Sequence, residues 1–93
     1  MFKINEYFDG NVKSIAFETP ACPATIGIIA PGQYEFGTST IEIMTVITGK
    51  LSALLPDSDK WTECTPGRSF TVQANKKFKV KADVNTSYLC LYR

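Results

Sequence analysis

Glu42 is the residue whose type and position best suit chemistry, because it lies in a stretch rich in aromatic and hydroxyl side chains, PGQYEFGTSTIEIMTVITG, residues 31–49. The chain has no histidine, so it cannot build a Ser-His-Asp or Cys-His catalytic pair. It also has no run of glycines of the phosphate-cradling type. Its three cysteines, Cys22, Cys64 and Cys90, are widely spaced, which gives no zinc-finger pair and favours free thiols. What remains is an acid among aromatic side chains.

Two spaced motifs resemble those of the cupin family of β-barrels, with the metal ligands replaced. The first cupin motif has two histidines one residue apart, then a glutamate, then a glycine. This sequence has Phe36, Thr38, Glu42 and Gly49 at those positions. The second motif ends on a histidine, and Phe78 stands there. The resemblance implies an all-β, single cupin-like jelly-roll barrel. We predict no bound metal, because phenyl rings cannot coordinate one and a lone carboxylate with one hydroxyl makes a poor site.

Strand alternation converts these positions into a predicted pocket. Side chains two residues apart on a strand share a face, so Tyr34 shares the face of Phe36, and Met44 shares that of Glu42. The predicted pocket consists of Tyr34, Phe36, Thr38, Glu42, Met44 and Phe78. A mostly aromatic pocket with one carboxylate and a few hydroxyls suits a flat ring with polar handles better than a metal or a highly charged ligand.

A structural explanation competes with the functional one for these residues. Glutamate is rarely buried, so Glu42 taken alone would be a solvated residue at the start of a strand. Tyr34, Phe36 and Phe78 are of the types that dominate β-cores whatever the function. The motif position favours the pocket for Glu42, whereas core packing is the simpler interpretation of the aromatic residues.

The segments that position these residues are short strands separated by turn residues. Turn signals recur about every 8 to 12 residues and no stretch keeps a helical period, which indicates an all-β sandwich or barrel. A short segment, 5–8, is closed by Asp9-Gly10, and the strands that follow are 12–17, 24–30, 33–38, 43–48, 51–55, 61–64, 69–73, 78–82 and 87–92. We predict that 51–55 pairs back on 43–48 as a hairpin.

Composition and charge limit the class of protein. With 93 residues, 44 % hydrophobic and 20 % charged, the sequence predicts one globular domain over residues 1–93 and excludes disorder. The net charge is +1 and the lysines are scattered, so neither nucleic acid nor a membrane is an expected partner. The start, MFKINEYFDG, lacks the apolar core of a signal peptide, and no apolar run approaches the ~20 residues that span a bilayer. We expect a cytoplasmic protein.

The small size of the chain favours association with a second copy. A chain of this length buries only about 60 to 65 % of its unfolded surface, so covering more surface stabilises it. We therefore predict a homodimer, in which the apolar segments 1–8 and 87–92 pair across chains.

Nearly the whole chain, from Asn5 to Tyr92, resembles the cupin-type pyrimidine/purine nucleoside phosphorylases. The resemblance is carried by NEYFDGNVKSIAF, GQYEF, EIMTVITGKLSALLPDSDKW, GRSFTV and SYLCLYR. The succession of MTV, a glycine, LLP and Trp61 is more specific than the bare cupin pattern. The sequence departs from the family pattern in the loop ETPACP, residues 18–23, and at Gln73, where a proline is expected. Neither departure lies at a predicted pocket residue.

The resemblance implies a pentosyltransferase, a glycosyltransferase that splits purine and pyrimidine nucleosides with inorganic phosphate into a free base and a pentose 1-phosphate. It also implies a homodimer. We expect no cofactor. Glu42 would be the catalytic carboxylate, because the transition state carries positive charge on the sugar. The substrate-binding residues would be Tyr34, Phe36, Thr38, Met44 and Phe78. The rings of Tyr34, Phe36 and Phe78 can stack on any base. The phosphate-binding residues are not predicted.

Two other functions fit the same fold, because fold alone does not fix function. One is a cupin that binds a small molecule without catalysis, and the other is a sugar-modifying cupin enzyme. Phosphate-dependent release of base from uridine would distinguish the phosphorylase from both.

Overall fold

The structure is a computed structural model that describes residues 2–93. These residues form ten strands and no helix, which confirms the all-β prediction. The part of the chain so described therefore contains no helix that could cross a membrane. The strands are β1 (Lys3–Tyr7), β2 (Val12–Glu18), β3 (Pro23–Ile29), β4 (Gly32–Gly37), β5 (Glu42–Thr48), β6 (Leu51–Leu54), β7 (Trp61–Cys64), β8 (Ser69–Val72), β9 (Lys77–Ala82) and β10 (Thr86–Tyr92).

The strands form two sheets. One has six strands in the order β1-β2-β3-β10-β5-β8, and the other has four in the order β4-β9-β6-β7. All neighbouring strands run antiparallel. Several neighbouring strands, such as β3 and β10 or β4 and β9, lie far apart in sequence, as in a jelly roll. The cupin-like architecture is confirmed.

The core lies between the two sheets. Val12, Ile29 and Val46 enter it from the six-stranded sheet, and Leu51 and Val80 enter it from the four-stranded sheet, all with an exposed fraction of 1 % or less. Each comes from a different strand. Along β8 and β9 every second residue is buried, which is the period that points one face of a strand inward.

The predicted hairpin between β5 and β6 is wrong. β5 pairs with β10 and β8, whereas β6 pairs with β9 and β7. Gly49, with φ of +88°, carries the chain from one sheet to the other, and a Cβ there would lie 2.6 Å from Thr86 Oγ1. That oxygen accepts a hydrogen bond from the Lys50 N–H at 3.2 Å. The turn residues Gly49-Lys50 are compatible both with a hairpin and with a connection between two sheets, so the sequence alone could not distinguish the two.

The position of β10 corrects part of the predicted dimer. β10 is hydrogen-bonded to β3 on one side and to β5 on the other, so the segment 87–92 has no free edge to pair with a second chain. β1 lies at the edge of the six-stranded sheet.

Candidate active site

A cavity of about 330 Å³ lies between the two sheets, beside the turn that joins β1 to β2. Its volume falls in the usual range of small-molecule pockets, ~300 to 1,000 Å³. Its walls carry two carboxylates, four hydroxyls and three phenyl rings, supplied by Glu35, Glu42, Tyr7, Ser14, Tyr88, Tyr92, Phe8, Phe36 and Phe78, together with Ile29, Gly37, Met44 and Cys90.

Glu42 is the first residue of β5 and stands opposite Tyr92 of β10 in the ladder. It lies on the inner face, because Met44 and Val46, two and four residues later, are buried in the core. Burial raises the pKa of the Glu42 carboxyl, and the contact with Cys90 opposes this rise. A carboxylate that is partly removed from water interacts more strongly with any charge that develops beside it.

The Cys90 thiol is the nearest polar partner of this carboxylate. Its Sγ lies 3.5 Å from Glu42 Oε1, and the residue is only 2 % exposed. Burial and the neighbouring Glu42 charge raise the pKa of the thiol to about 12. Cys90 therefore stays protonated at neutral pH and donates its S–H to the carboxylate.

Two tyrosines of β10 flank Cys90 on the same face. A Cβ at Gly27 on β3 would lie 2.5 Å from the Tyr88 hydroxyl oxygen, so the absence of a side chain at Gly27 makes room for this phenol. The Tyr92 hydroxyl lies 3.0 Å from Thr25 Oγ1. Burial raises the pKa of Tyr88 to about 12 and also raises the pKa of Tyr92, so both phenols remain neutral hydrogen-bond donors.

Aromatic rings form the wall nearest the β1–β2 turn. Phe8 has a φ of 54°, which is rare for a bulky residue and fixes the direction of its ring. The ring centroid of Phe8 lies 5.5 Å from that of Phe36, and the centroid of Tyr7 lies 6.3 Å from it. Phe36 in turn lies 5.9 Å from Phe78. These offset and edge-on contacts make a rigid apolar surface.

Four of the six predicted pocket residues line the cavity, namely Phe36, Glu42, Met44 and Phe78. Tyr34 and Thr38 lie outside its walls. The Tyr34 hydroxyl donates to the Ala30 carbonyl at 2.9 Å while its ring packs on Phe8. The Thr38 hydroxyl donates to the Gln73 carbonyl at 2.6 Å. Because β4 ends at Gly37, strand alternation no longer sets the direction of Thr38.

The predicted pocket did not include six polar residues of the cavity wall: Tyr7, Ser14, Glu35, Tyr88, Cys90 and Tyr92. The last three alternate along β10 in SYLCLY, a pattern visible in the sequence. This pattern did not show which face of β10 points inward, because the intervening residues, Leu89 and Leu91, would suit a core equally well. No lysine or arginine lies in the wall, and within residues 2–93 no three His, Cys, Asp or Glu side chains converge to hold a metal.

Comparisons with known proteins extend over the whole chain. Residues 2–92 match the family model described as pyrimidine/purine nucleoside phosphorylase. A curated pyrimidine/purine nucleoside phosphorylase of Pseudomonas aeruginosa is 60 % identical over 93 residues, which is 100 % of both chains. The crystal structure of a protein of unknown function from Vibrio parahaemolyticus is 38 % identical, with a TM-score of 0.96 over 100 % of this chain and 99 % of that one.

A more distant structure bears on the fold alone. A putative ethanolamine utilization protein, EutQ, from Salmonella typhimurium is 12 % identical, with a TM-score of 0.75 over 99 % of this chain and 93 % of that one. This structural similarity supports the cupin-like description of the two sheets.

Proposed function

The chain belongs to the pyrimidine/purine nucleoside phosphorylase family, and we propose that it cleaves purine and pyrimidine nucleosides with inorganic phosphate into the free base and a pentose 1-phosphate. The observation that carries the proposal is the 60 % identity to a curated phosphorylase over the full length of both chains. The cavity supports it with a partly buried carboxylate, neutral hydroxyls and an aromatic wall.

The two ends of a nucleoside suit two parts of this cavity. The base is flat and apolar on its faces, so it stacks on the wall formed by Phe8, Phe36 and Phe78. Stacking accepts purines and pyrimidines alike, because every base has a π-face. The pentose then lies against Glu42 and Tyr92, whose oxygens can bond its hydroxyl groups.

The reaction forms a bond from a phosphate oxygen to C1′ of the pentose and breaks the bond from C1′ to the base nitrogen. The electron pair of the broken bond goes to the base, which takes a proton from dihydrogen phosphate or water. Positive charge accumulates on the sugar ring as the base departs. The ionised Glu42 carboxylate stabilises that charge and accepts hydrogen bonds from the pentose hydroxyls. Cys90 orients the carboxylate through its S–H donor.

The same cavity is a weak site for phosphate. Its walls contain two carboxylates and no lysine or arginine. The hydrogen-bond donors available to phosphate are therefore backbone amides and hydroxyls such as those of Ser14, Tyr88 and Tyr92. An anion that lacks a cationic partner in a partly dry site is costly to bind. We therefore expect phosphate to saturate the enzyme only at high concentration.

We also infer a cytoplasmic homodimer without a cofactor. The size of the chain favours the dimer. A reducing compartment is favoured because Cys64 and Cys90 are buried free thiols.

The test is a measurement of base release from uridine and from adenosine, each with and without inorganic phosphate. We expect uracil and adenine to appear in equal amounts with a pentose 1-phosphate, and only when phosphate is present. Nucleoside binding without base release would favour a non-catalytic cupin, and release that ignores phosphate would favour a hydrolase. Either result would overturn the proposal.

A further inference from the structure

An open groove of about 640 Å³ lies beside the cavity, where β1 forms the edge of the six-stranded sheet. Tyr92 lines both the groove and the cavity, so the two spaces meet at its side chain. We call this space the edge groove and define it by six of its lining residues: Lys3, Asn5, Ala16, Glu18, Thr25 and Tyr92.

The edge groove and the cavity share the inner face of the sheet. Lys3 and Asn5 line the groove, and Tyr7, two residues further along β1, lines the cavity. Residues two apart on a strand share a face, so the three side chains lie on the same side of the sheet. Lys3 stands opposite Ala16 of β2 in the ladder. Asn5 stands opposite Ser14, which also lines the cavity. β1 thus carries a lysine and an amide from the edge of the sheet toward the candidate active site.

Lys3 supplies a positive charge, which the wall of the cavity lacks. Within residues 2–93 the lysines that form ion pairs are Lys13 and Lys50, so Lys3 has no carboxylate partner there. The Lys3 side chain is exposed, and that of Asn5 is half-buried. An ammonium group carries three hydrogen-bond donors and an amide carries two. The two side chains together can therefore bind an anion at the entrance of the groove.

Hydroxyl groups continue this row of donors from the edge groove to the cavity. Thr25 Oγ1 and the Tyr92 hydroxyl oxygen lie 3.0 Å apart. Two hydroxyl groups hold two hydrogens and the bond between them uses one, so one hydrogen remains for a ligand. Thr25 and Ser14 are only 7 % and 5 % exposed, which fixes their positions. A tetrahedral anion with several acceptor oxygens matches donors arranged in this way.

The single acid of the edge groove limits where an anion can bind. Glu18 is the last residue of β2 and lies four residues beyond Ser14 on the same face. Four steps of ~3.3 Å place the backbones of the two residues ~13 Å apart. An anion held beside Asn5 and Ser14 therefore lies on the side away from Glu18, within reach of the long Lys3 side chain. Over such a distance the exposed carboxylate is largely screened at physiological salt.

The order of these parts along β1 fits the proposed reaction. The base stacks on the wall nearest Phe8, which follows the end of β1, whereas Lys3 begins that strand. The strand spans four steps between its ends, or ~13 Å. The pentose lies between, against Glu42 and Tyr92. Phosphate has to approach C1′ from the face of the pentose opposite the departing base, so that the bonds that form and break are in line.

We propose that the edge groove is the phosphate subsite of this enzyme, in which Lys3 and Asn5 hold inorganic phosphate against the hydroxyls that lead into the cavity. Those hydroxyls belong to Ser14, Thr25 and Tyr92. The inference rests on the proposed phosphorolysis and adds the cation that the cavity itself lacks. Because the Lys3 side chain is exposed, water screens its attraction for the anion, so phosphate binding stays weak.

The test is the phosphate dependence of base release at saturating uridine. Lys3→Gln should raise the KM for phosphate about three- to tenfold, between the loss of an exposed ion pair and that of a charge-assisted hydrogen bond. The KM for uridine and kcat should each stay within about twofold, because a contact made equally in the ground state and the transition state changes binding alone. Lys3→Arg keeps the charge and should restore the KM for phosphate. Asn5→Ala should raise it by a smaller factor.

Lys13→Gln and Glu18→Gln are the controls. Lys13 lies on the opposite face of β2, where its Nζ is 3.9 Å from Glu6 Oε1, so its replacement removes the same charge without touching the edge groove. Glu18→Gln removes the acid of the groove and should leave the KM for phosphate unchanged or lower it. The proposal is wrong if Lys3→Gln keeps the KM for phosphate of the wild type, if Lys13→Gln raises it equally, or if the KM for uridine rises as much.

A binding measurement separates failure of the subsite from failure of the proposed function. The phosphorus NMR resonance of inorganic phosphate should broaden when wild-type protein is added, and much less with Lys3→Gln, whether or not uridine is cleaved. A wild type that releases base with phosphate but broadens the resonance no more than Lys3→Gln keeps the function and overturns the subsite. A wild type that cleaves no nucleoside overturns the function. In that case broadening that depends on Lys3 still supports a phosphate site, and its absence refutes one.

Discussion

Replacing Glu42 by Gln removes a partly buried negative charge from the cavity while keeping nearly the same side-chain volume. A full positive charge about 4 Å from a carboxylate interacts by about 4 kcal/mol at an effective dielectric constant of ~20. The sugar carries only part of a charge in the transition state, so the lost stabilisation should be about 2 to 4 kcal/mol. The expected fall in kcat/KM is therefore about 30- to 900-fold.

The same substitution, Glu42→Gln, should raise the stability of the fold at neutral pH while it lowers activity. Burial raises the pKa of Glu42 in the folded chain, which means that its ionised form is held at a cost. A raised folded pKa contributes stability below the unfolded pKa, and this contribution is lost as pH rises through the folded pKa. At neutral pH, Glu42→Gln should thus resist urea better than the wild type, and the difference should shrink as the pH falls toward the acid range.

The assay is phosphate-dependent release of uracil from uridine, with urea unfolding followed in parallel. Glu63→Gln is the control, since Glu63 is an exposed acid on β7 that does not line the cavity. A Glu42→Gln enzyme within threefold of the wild type would refute the electrostatic role assigned to this carboxylate. Equal losses of activity in both variants would show that the effect is not specific to the cavity.

Three further measurements test other parts of the structure. Activity should fall at acid pH as Glu42 is protonated, at a pH above that expected for an ordinary glutamate. Cys90→Ala should move this fall in activity to still higher pH, because it removes the hydrogen bond that opposes the rise in the pKa of Glu42. Cys90→Ser keeps a donor and should move it less. Gly49→Ala should lower the free energy of unfolding in urea by at least about 2 kcal/mol more than Gly67→Ala does. Both glycines have nearly the same positive φ, 88° and 87°, but nothing lies within 4 Å of a Cβ at Gly67. Equal losses of stability would show that the crowding at Gly49 is relieved at no cost. Protein dialysed against chelator should retain full phosphorolysis and no stoichiometric transition metal by elemental analysis; a tightly held metal would contradict the prediction made from Phe36 and Phe78.

The sequence predicted the strands better than it predicted their partners. Each alternating segment became a strand, because period-2 burial is a local property of the chain. The strands that pair with β5 are β10 and β8, which are distant in sequence, and no local signal identifies them. Within the site, motif spacing placed Glu42 and Phe36 in the wall of the cavity correctly. Thr38 was misplaced because it follows the end of β4, where alternation ceases to apply.

Adjacent residues of β2 serve opposite sides of the sheet, with Ser14 on the cavity and Ile15 on the outside. Shifting a strand by one residue exchanges its two faces completely, whereas a shift by two restores them. Deletion of a single codon within β2 would therefore place isoleucine against the substrate and serine at the outer surface at once. The coding sequence for this strand should tolerate substitutions better than any odd-numbered change in length, so gaps between related genes should fall in the loop at residues 19–22 instead.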